Sequence, residues 1–251
     1  MKKAIWVIAL LGLIGTKTSA TILFSDNFSY ADGPITTVSG GVWTNHSGTA
    51  NQVDVQSGMV NLTSAESEDV STGISGGPYT TGLLYFSLNV DFSALPTLGG
   101  GYFAHFKDAT ASGFRARLFA TTNGAAAGFY RLGINNGSTP VSAIYSTDLA
   151  LGTDHTAVVR YDVGAVATTL WVDPSLETDP SVSASDTVTS LQISGIALRQ
   201  SIASGAGMGT LKADNLVVAT TFAEVVPEPG LLPLGALGLL IANFLRRQRL
   251  A

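Results

Sequence analysis

Through the middle of the chain, apolar positions recur every second residue. In Phe114-Arg115-Ala116-Arg117-Leu118-Phe119-Ala120, small or apolar side chains alternate with polar ones. Ala157, Val159 and Tyr161 share one side of a run whose other side carries Arg160 and Asp162. The stretches 83–92 and 102–107 are rich in aromatics and bounded by glycine or proline. Such a period marks half-buried antiparallel strands. Ser57-Gly58 separates QVDVQ from MVNLT by a hairpin-length gap, and Asn123-Gly124, Asn136-Gly137 and Val163-Gly164 punctuate later runs. Asn-Gly supplies the positive φ that tight hairpin turns need. The pattern predicts about eleven to thirteen strands, no long helix, and a sandwich or barrel. Residues 174–187 have loop composition, and no fixed-period repeat is visible.

The two ends follow another rule. Residues 1–20 carry Lys2 and Lys3, then an apolar run from Ala4 to Ile14, then Thr18-Ser19-Ala20. A positive start, a short apolar core and small residues at the cut read as a signal peptide for signal peptidase. Residues 226–251 hold Pro227-Glu228-Pro229, an apolar stretch over 231–245, and Arg246, Arg247 and Arg249. That stretch is just long enough to cross a bilayer as a helix, and the arginines read as a cytoplasmic stop. The expected layout is a leader (1–20), one β domain (21–225) and a C-terminal tail (226–251).

Pro-Glu-Pro, one apolar helix and a basic cluster, in that order, closely resemble the PEP-CTERM sorting signal of Gram-negative bacteria. The resemblance implies an exosortase as partner, with Pro227, Glu228 and Pro229 as recognition residues. It also implies a membrane-tethered precursor and release to the outer surface or extracellular matrix. An uncleaved tail would instead leave a membrane-tethered periplasmic scaffold. FSDNFSYADGP, WTNHSG, TTLWVDP, SGIALRQ and LKADNLVVATTF look like exported bacterial domains of the LamG/concanavalin-like type. That likeness implies an all-β fold, a jelly roll of two packed antiparallel sheets. It says little about function, because the fold serves binding modules and glycanases alike.

Composition narrows the functions. The 251 residues contain no cysteine, which excludes disulfides, thiolate metal sites and cysteine nucleophiles. Charged residues make up only 12%, against roughly 25% in ordinary domains. Residues 21–226 hold seventeen of the eighteen acids but only seven of the thirteen bases, so the net charge there is about −10. An acidic exported domain suits calcium, neutral glycans or solvation better than nucleic acid.

Candidate chemistry is sparse. Asp26 (FSDNF) and Asp214 (KADNL) fall on the predicted first and last strands, which lie side by side in jelly rolls of the kind resembled. Two carboxylates with nearby carbonyls would make a calcium site. Trp43, in VWTNH, is the ligand-binding candidate, because a sugar stacks on an exposed ring; Tyr79 and Trp171 are the other aromatics considered. Trp171 reads as core. Glu66-Ser67-Glu68-Asp69 is the densest acidic run and reads as a solvated loop, although paired carboxylates are also what a glycanase needs. His46, His105 and His155 lack metal-motif spacing, and His105 is expected to face solvent. There is no Gly-x-Ser-x-Gly elbow. Arg115, Arg117, Arg131, Arg160 and Arg199 are expected in structural ion pairs. The sequence therefore predicts no catalytic residue. It predicts a structural, adhesive or glycan-binding component of an extracellular polysaccharide matrix, with a glycan-active enzyme as the alternative.

Overall fold

The computed structural model describes residues 21–138, 140–200 and 207–226. The leader and Pro227, Glu228 and Pro229 lie outside the described residues, as does the apolar segment after them. Within the described residues, no helix is long and apolar enough to cross a membrane.

The strands run in chain order as β1 (Ile22–Asp26), β2 (Gly33–Pro34), β3 (Thr44–Ser47), β4 (Asp54–Gln56), β5 (Met59–Thr63), β6 (Asp69–Gly73), β7 (Leu83–Ala94), β8 (Gly101–Lys107) and β9 (Phe114–Thr121). They continue as β10 (Phe129–Asn135), β11 (Ala143–Ile144), β12 (Leu149–Ala150), β13 (Asp154–Asp162), β14 (Ala167–Val172), β15 (Val182–Ser183), β16 (Gly195–Arg199) and β17 (Thr210–Ala219). Two single-turn helices, α1 (Ile35–Val38) and α2 (Phe222–Val225), complete the set. Four of these strands are only two residues long; the other thirteen match the sequence expectation.

All pairings are antiparallel, in two sheets. The back sheet runs β15-β14-β13-β7-β17-β5-β4-β2, with β1 also beside β17. The front sheet runs β11-β10-β9-β8-β16-β6-β3, with β12 beside β10. Between them lies one apolar core. Phe86 and Phe92 of β7 meet Phe106, Phe103 and Tyr130 of the front sheet at ring separations of 4.3–5.8 Å. Ala157, Val159 and Tyr161 all face this core, as their spacing requires. Ser57 and Gly58 both take positive φ, 55° and 76°, and close the β4–β5 hairpin.

The first and last strands do pair, with Asp26 opposite Leu216. β5 and β1 lie end to end along the same edge of β17, and β17 bulges between Asp214 and Val217 where one neighbour gives way to the other. Asn215 sits in the bulge at φ 50°, a conformation that Asn tolerates better than most residues. Asp214 accepts hydrogen bonds from the backbone N–H and side-chain amide of Asn215.

Asp26 organises the start of the chain. Its Oδ1 accepts the Phe28 N–H at 2.8 Å, and its Oδ2 accepts the Tyr30 hydroxyl at 2.7 Å and the Trp43 indole N–H at 2.8 Å. Trp43 is 0% exposed and packs edge-on against Phe24. This corrects the expectation of an exposed stacking platform: a carboxylate that satisfies the indole N–H lets the whole ring enter the core. Replacing Asp26 by Ala orphans that N–H and the Phe28 amide, each worth about 1–3 kcal/mol when buried. Urea unfolding of Asp26→Ala is expected to show a loss of about 3 kcal/mol, with Asp26→Asn intermediate. A loss below about 0.5 kcal/mol would contradict this role.

Candidate functional site

The core consumes the inward face of the front sheet, yet its outward face is also nearly closed to solvent. Core residues alternate with outward ones, which places Asp69, Ser71 and Gly73 of β6 and Gly195, Ala197 and Arg199 of β16 on the outer side. Gly195 stands opposite both Gly73 and Lys107, and Ala197 opposite both Ser71 and His105. Ser71, Gly73, Gly195 and Ala197 therefore make a floor of small residues two strands wide. Gly195 admits no larger residue, since an added Cβ would meet the Thr72 carbonyl at 2.4 Å. A cleft of about 300 Å³ opens here, lined by Thr44, Ser71, Gly73, Lys107, Asp108 and Gly195 among others.

Beside this cleft, on the same outer face, rings and cations pack into a largely buried cluster. His105 projects from β8 between Ala104 and Phe106, which both face the core. Its ring lies 4.4 Å from Phe114, 5.5 Å from Tyr102 and 6.4 Å from His46. His46 belongs to β3, three strands away, about 14 Å on a flat sheet. The sheet curls, and the β3 register shift between Asn45 and Ser47 sends His46 over the floor. Arg199 lies 4.0 Å from the Tyr102 ring centre and Arg117 lies 4.6 Å from it. Phe119 packs on Tyr102 from the far side of the cluster at 5.5 Å. Cations over aromatic faces are held by the ring quadrupole.

Burial sets the protonation states. His46 is pushed down to about 4, first by desolvation and then by Lys107. His105, 0% exposed, is driven well below its usual value, again first by desolvation. Both rings are neutral at pH 7. Both nitrogens of His46, Nε2 of His105 and Nε of Arg117 have no hydrogen-bond partner among the described residues. Desolvation also lowers Lys107 and Arg117, and Arg117 is pressed further by Arg199 and Arg115. Asp69 is the carboxylate facing this set. It accepts from Ser47 at 2.8 Å and lies 3.8 Å from Arg199, but burial still raises it to about 6.

The remaining sequence candidates land elsewhere. Asp26 and Asp214 lie on neighbouring strands, but Asp26 already serves three internal donors and Asp214 serves the β17 bulge. No group of three or more His, Asp or Glu able to hold a metal occurs among the described residues. Glu68 is no solvated loop residue. It is 0% exposed, and accepts from the Asn45 amide and the Gln52 and Val53 N–H groups. Those donors tie the loop before β4 to β6, so the residue is a brace. Tyr79 donates to the Ser75 carbonyl. Trp171 is buried, but on the outer face of the back sheet beneath Phe222. Arg131 and Arg160 are in ion pairs, with Asp148 and Glu177. Arg117 is not: no carboxylate of the described residues approaches it within ion-pair distance. His105 faces outward, as expected, but beneath other side chains. Spacing gives its side of the sheet, but its burial comes from Tyr102, Phe114 and His46 packed around the ring.

No family model and no curated protein sequence matches the chain. Solved structures do. The lectin II of Ulex europaeus matches with TM-score 0.50 and 12% identity, over 81% of this chain and 100% of the lectin. A CBM2 module of the Lactobacillus casei BL23 phage J-1 evolved Dit matches with TM-score 0.51 and 11% identity, over 80% of this chain and 96% of the module. A sialidase matches with TM-score 0.50 and 13% identity over 80% of this chain, which spans only 19% of that protein. At such identities the likeness establishes the fold, an antiparallel lectin-like jelly roll.

The two neutral histidines give the fold a pH dependence. Between about pH 4 and 6.5 the unfolded chain binds protons at His46 and His105 that the folded chain refuses, so their contribution to stability grows with pH. Asp69 works the other way from its ordinary value up to about 6, because the folded chain holds its proton longer. The melting temperature is expected to rise from pH 5 to 7. His105→Gln is expected to flatten that rise, as thermal melts across the range would show. An unchanged slope would mean that His105 does not titrate on unfolding.

Proposed function

We propose that this chain is an exported, surface-sorted glycan-binding protein that does no chemistry on its ligand and serves as a structural or adhesive component of an extracellular polysaccharide matrix. One observation carries the binding reading: a cleft of about 300 Å³, lined by Thr44, Ser71, Lys107 and Asp108 among others, on the outer face of one sheet of a sandwich similar to a lectin and a carbohydrate-binding module. A sugar's hydroxyls need donors and acceptors, and the hydroxyl, ammonium and carboxylate side chains of this cleft supply both. The galactose complex solved for the Ulex lectin supports a saccharide as the class of ligand. The acids a glycanase would need weigh against catalysis, because Glu68 spends its carboxylate on three internal donors.

Export and sorting rest on the leader, on Pro227-Glu228-Pro229 and on the apolar and basic segments after it. Signal peptidase and an exosortase would act there in turn. Intact mass of protein recovered from the host is expected to show loss of residues 1–20 and of the segment following the Pro-Glu-Pro triplet, in the medium or outer surface. A full tail retained in the inner membrane would favour the tethered periplasmic scaffold.

For the binding reading, the full-length chain in mild detergent is expected to retain a subset of glycans on an array, and to release no reducing ends from them. Glu68→Gln is expected to lower stability and leave the absence of turnover unchanged. Hydrolysis abolished by Glu66→Gln or Glu68→Gln would instead establish the glycanase.

A further inference from the structure

The turn before β3 separates two clefts, and one of its residues belongs to both. Val42 lines the front-sheet cleft together with Gly41, Thr44 and Ser71. It also lines a second cleft of about 550 Å³, whose walls include Phe24, Asp26, Asn27, Tyr30 and Asn215. This second cleft lies where β1 meets the β17 bulge. We propose that the two clefts are consecutive subsites for one polysaccharide chain that crosses the turn at Val42, so that the ligand is a run of several sugar units and not a single sugar. This rests on the glycan-binding reading and names the class of glycan.

The ridge between the clefts is low and fixed. Gly40 and Gly41 take φ 63° and 92°, and nothing stands within 4 Å of where a Cβ would project from either. Val42 is 41% exposed, so a chain passing over the ridge meets one aliphatic side chain. Hydrogen bonds hold this ridge to both clefts at once. The Trp43 N–H donates to Ser39 Oγ at 3.1 Å, and its indole N–H donates to Asp26, in the wall of the second cleft, at 2.8 Å. The next residue, Thr44, donates its hydroxyl to the Ser71 carbonyl in the first cleft at 3.2 Å. The clefts therefore keep their spacing before a ligand arrives, and a preorganised site loses less entropy on binding. Both clefts carry unspent polar groups. In the first, Lys107 is 8% exposed, and its ammonium makes one hydrogen bond, to the Asp108 carbonyl, of the three it can donate. In the second, the Asn27 side-chain oxygen accepts from the Ser29 N–H, and the Asn215 side-chain amide donates to Asp214. That leaves the Asn27 amide N–H groups and the Asn215 side-chain oxygen without partners among the described residues. Such donors and acceptors suit sugar hydroxyls, while the half-buried Phe24 and Tyr30 beside them offer ring surface to C–H groups. Ligand clefts run to about 300–1,000 Å³, so each of these has room for a sugar unit, and a single sugar would leave one of them unused.

The test uses the full-length chain in mild detergent, titrated with cello-, malto-, xylo- and chito-oligosaccharides of one to six units. At least one series is expected to bind. Its affinity is expected to rise at least about tenfold from the monosaccharide to the hexamer, because contacts in one cleft become intramolecular once the other is filled. Thr44→Val and Lys107→Met in the first cleft, and Asn27→Ala and Asn215→Gly in the second, are each expected to weaken hexamer binding about three- to tenfold. Asn215→Gly keeps the positive φ of the bulge. In the double variant carrying Asn27→Ala and Asn215→Gly, the rise with chain length is expected to flatten. Lys212→Gln, on the back sheet outside both clefts, should match wild type. Circular dichroism melts identify any variant that fails to fold, and the other variant of that cleft then carries the test. A monosaccharide bound as tightly as its hexamer, or second-cleft variants that match wild type on the hexamer, would overturn the shared ligand but keep the glycan-binding reading. Failure of all four series would overturn the proposal, and a glycan array that retains nothing would overturn the binding reading with it.

Discussion

The front sheet has to bury two faces while only one of them has a layer to pack against. Its inner face meets the back sheet across an aromatic core. Its outer face has no second sheet above it among the described residues, yet Tyr102, His105, Lys107 and Phe119 there are all buried. Burial without a cover requires the sheet to curl and its own side chains to lean over one another. Small residues at Ser71, Gly73, Gly195 and Ala197 permit the curl by leaving room at its floor. The curl then dictates the chemistry: it brings His46 from an edge strand to His105, strips both imidazoles of water and leaves them neutral. It also forces Arg117 and Arg199 onto one ring.

Asp26 and Glu68 show how a chain with few charges uses them. Each is a carboxylate whose oxygens are spent on internal donors: the first on an indole, a phenol and a backbone amide, the second on an amide side chain and two backbone amides. Charge-assisted bonds of this kind are among the stronger ones a fold can make. They fasten the irregular segments between β1 and β6, where strands are short and the ladder alone supplies few bonds. Asp186 does the same for the segment after β10. It accepts from Asn136, Ser138 and Ser142, and these bonds outweigh its burial and bring it down to about 2.

Where local rules suffice, the fold was legible in the sequence. Ser57-Gly58 took the two positive φ angles of a tight hairpin, and the 157/159/161 side of β13 went to the core because nothing interrupts its period. Legibility ended at bulges. Ala116, at φ 52°, parts Arg115 from Arg117, which simple alternation puts on one face. Arg115 then turns to the Thr189 carbonyl, and only Arg117 joins the ring cluster. Trp43 and Glu68 were misread for a related reason: their burial depends on partners seventeen and about fifteen residues away, and no local pattern records a partner at that distance. The cleft and the ring cluster beside it draw on β3, β6, β8, β9 and β16, so their members share no motif.

The two outer faces of the sandwich also divide the labour of exposure. On the back sheet, Tyr85 and Trp171 are covered by Phe222 and Val225 of α2, with Arg160 and Glu177 closing the flank. The described chain ends there, with Val226 still packed against this cluster. In a two-sheet sandwich the outer faces point in opposite directions. The two outer faces thus close by different means: α2 caps the back sheet, while the front sheet closes over its own side chains, where Tyr102, His105 and Phe119 are buried.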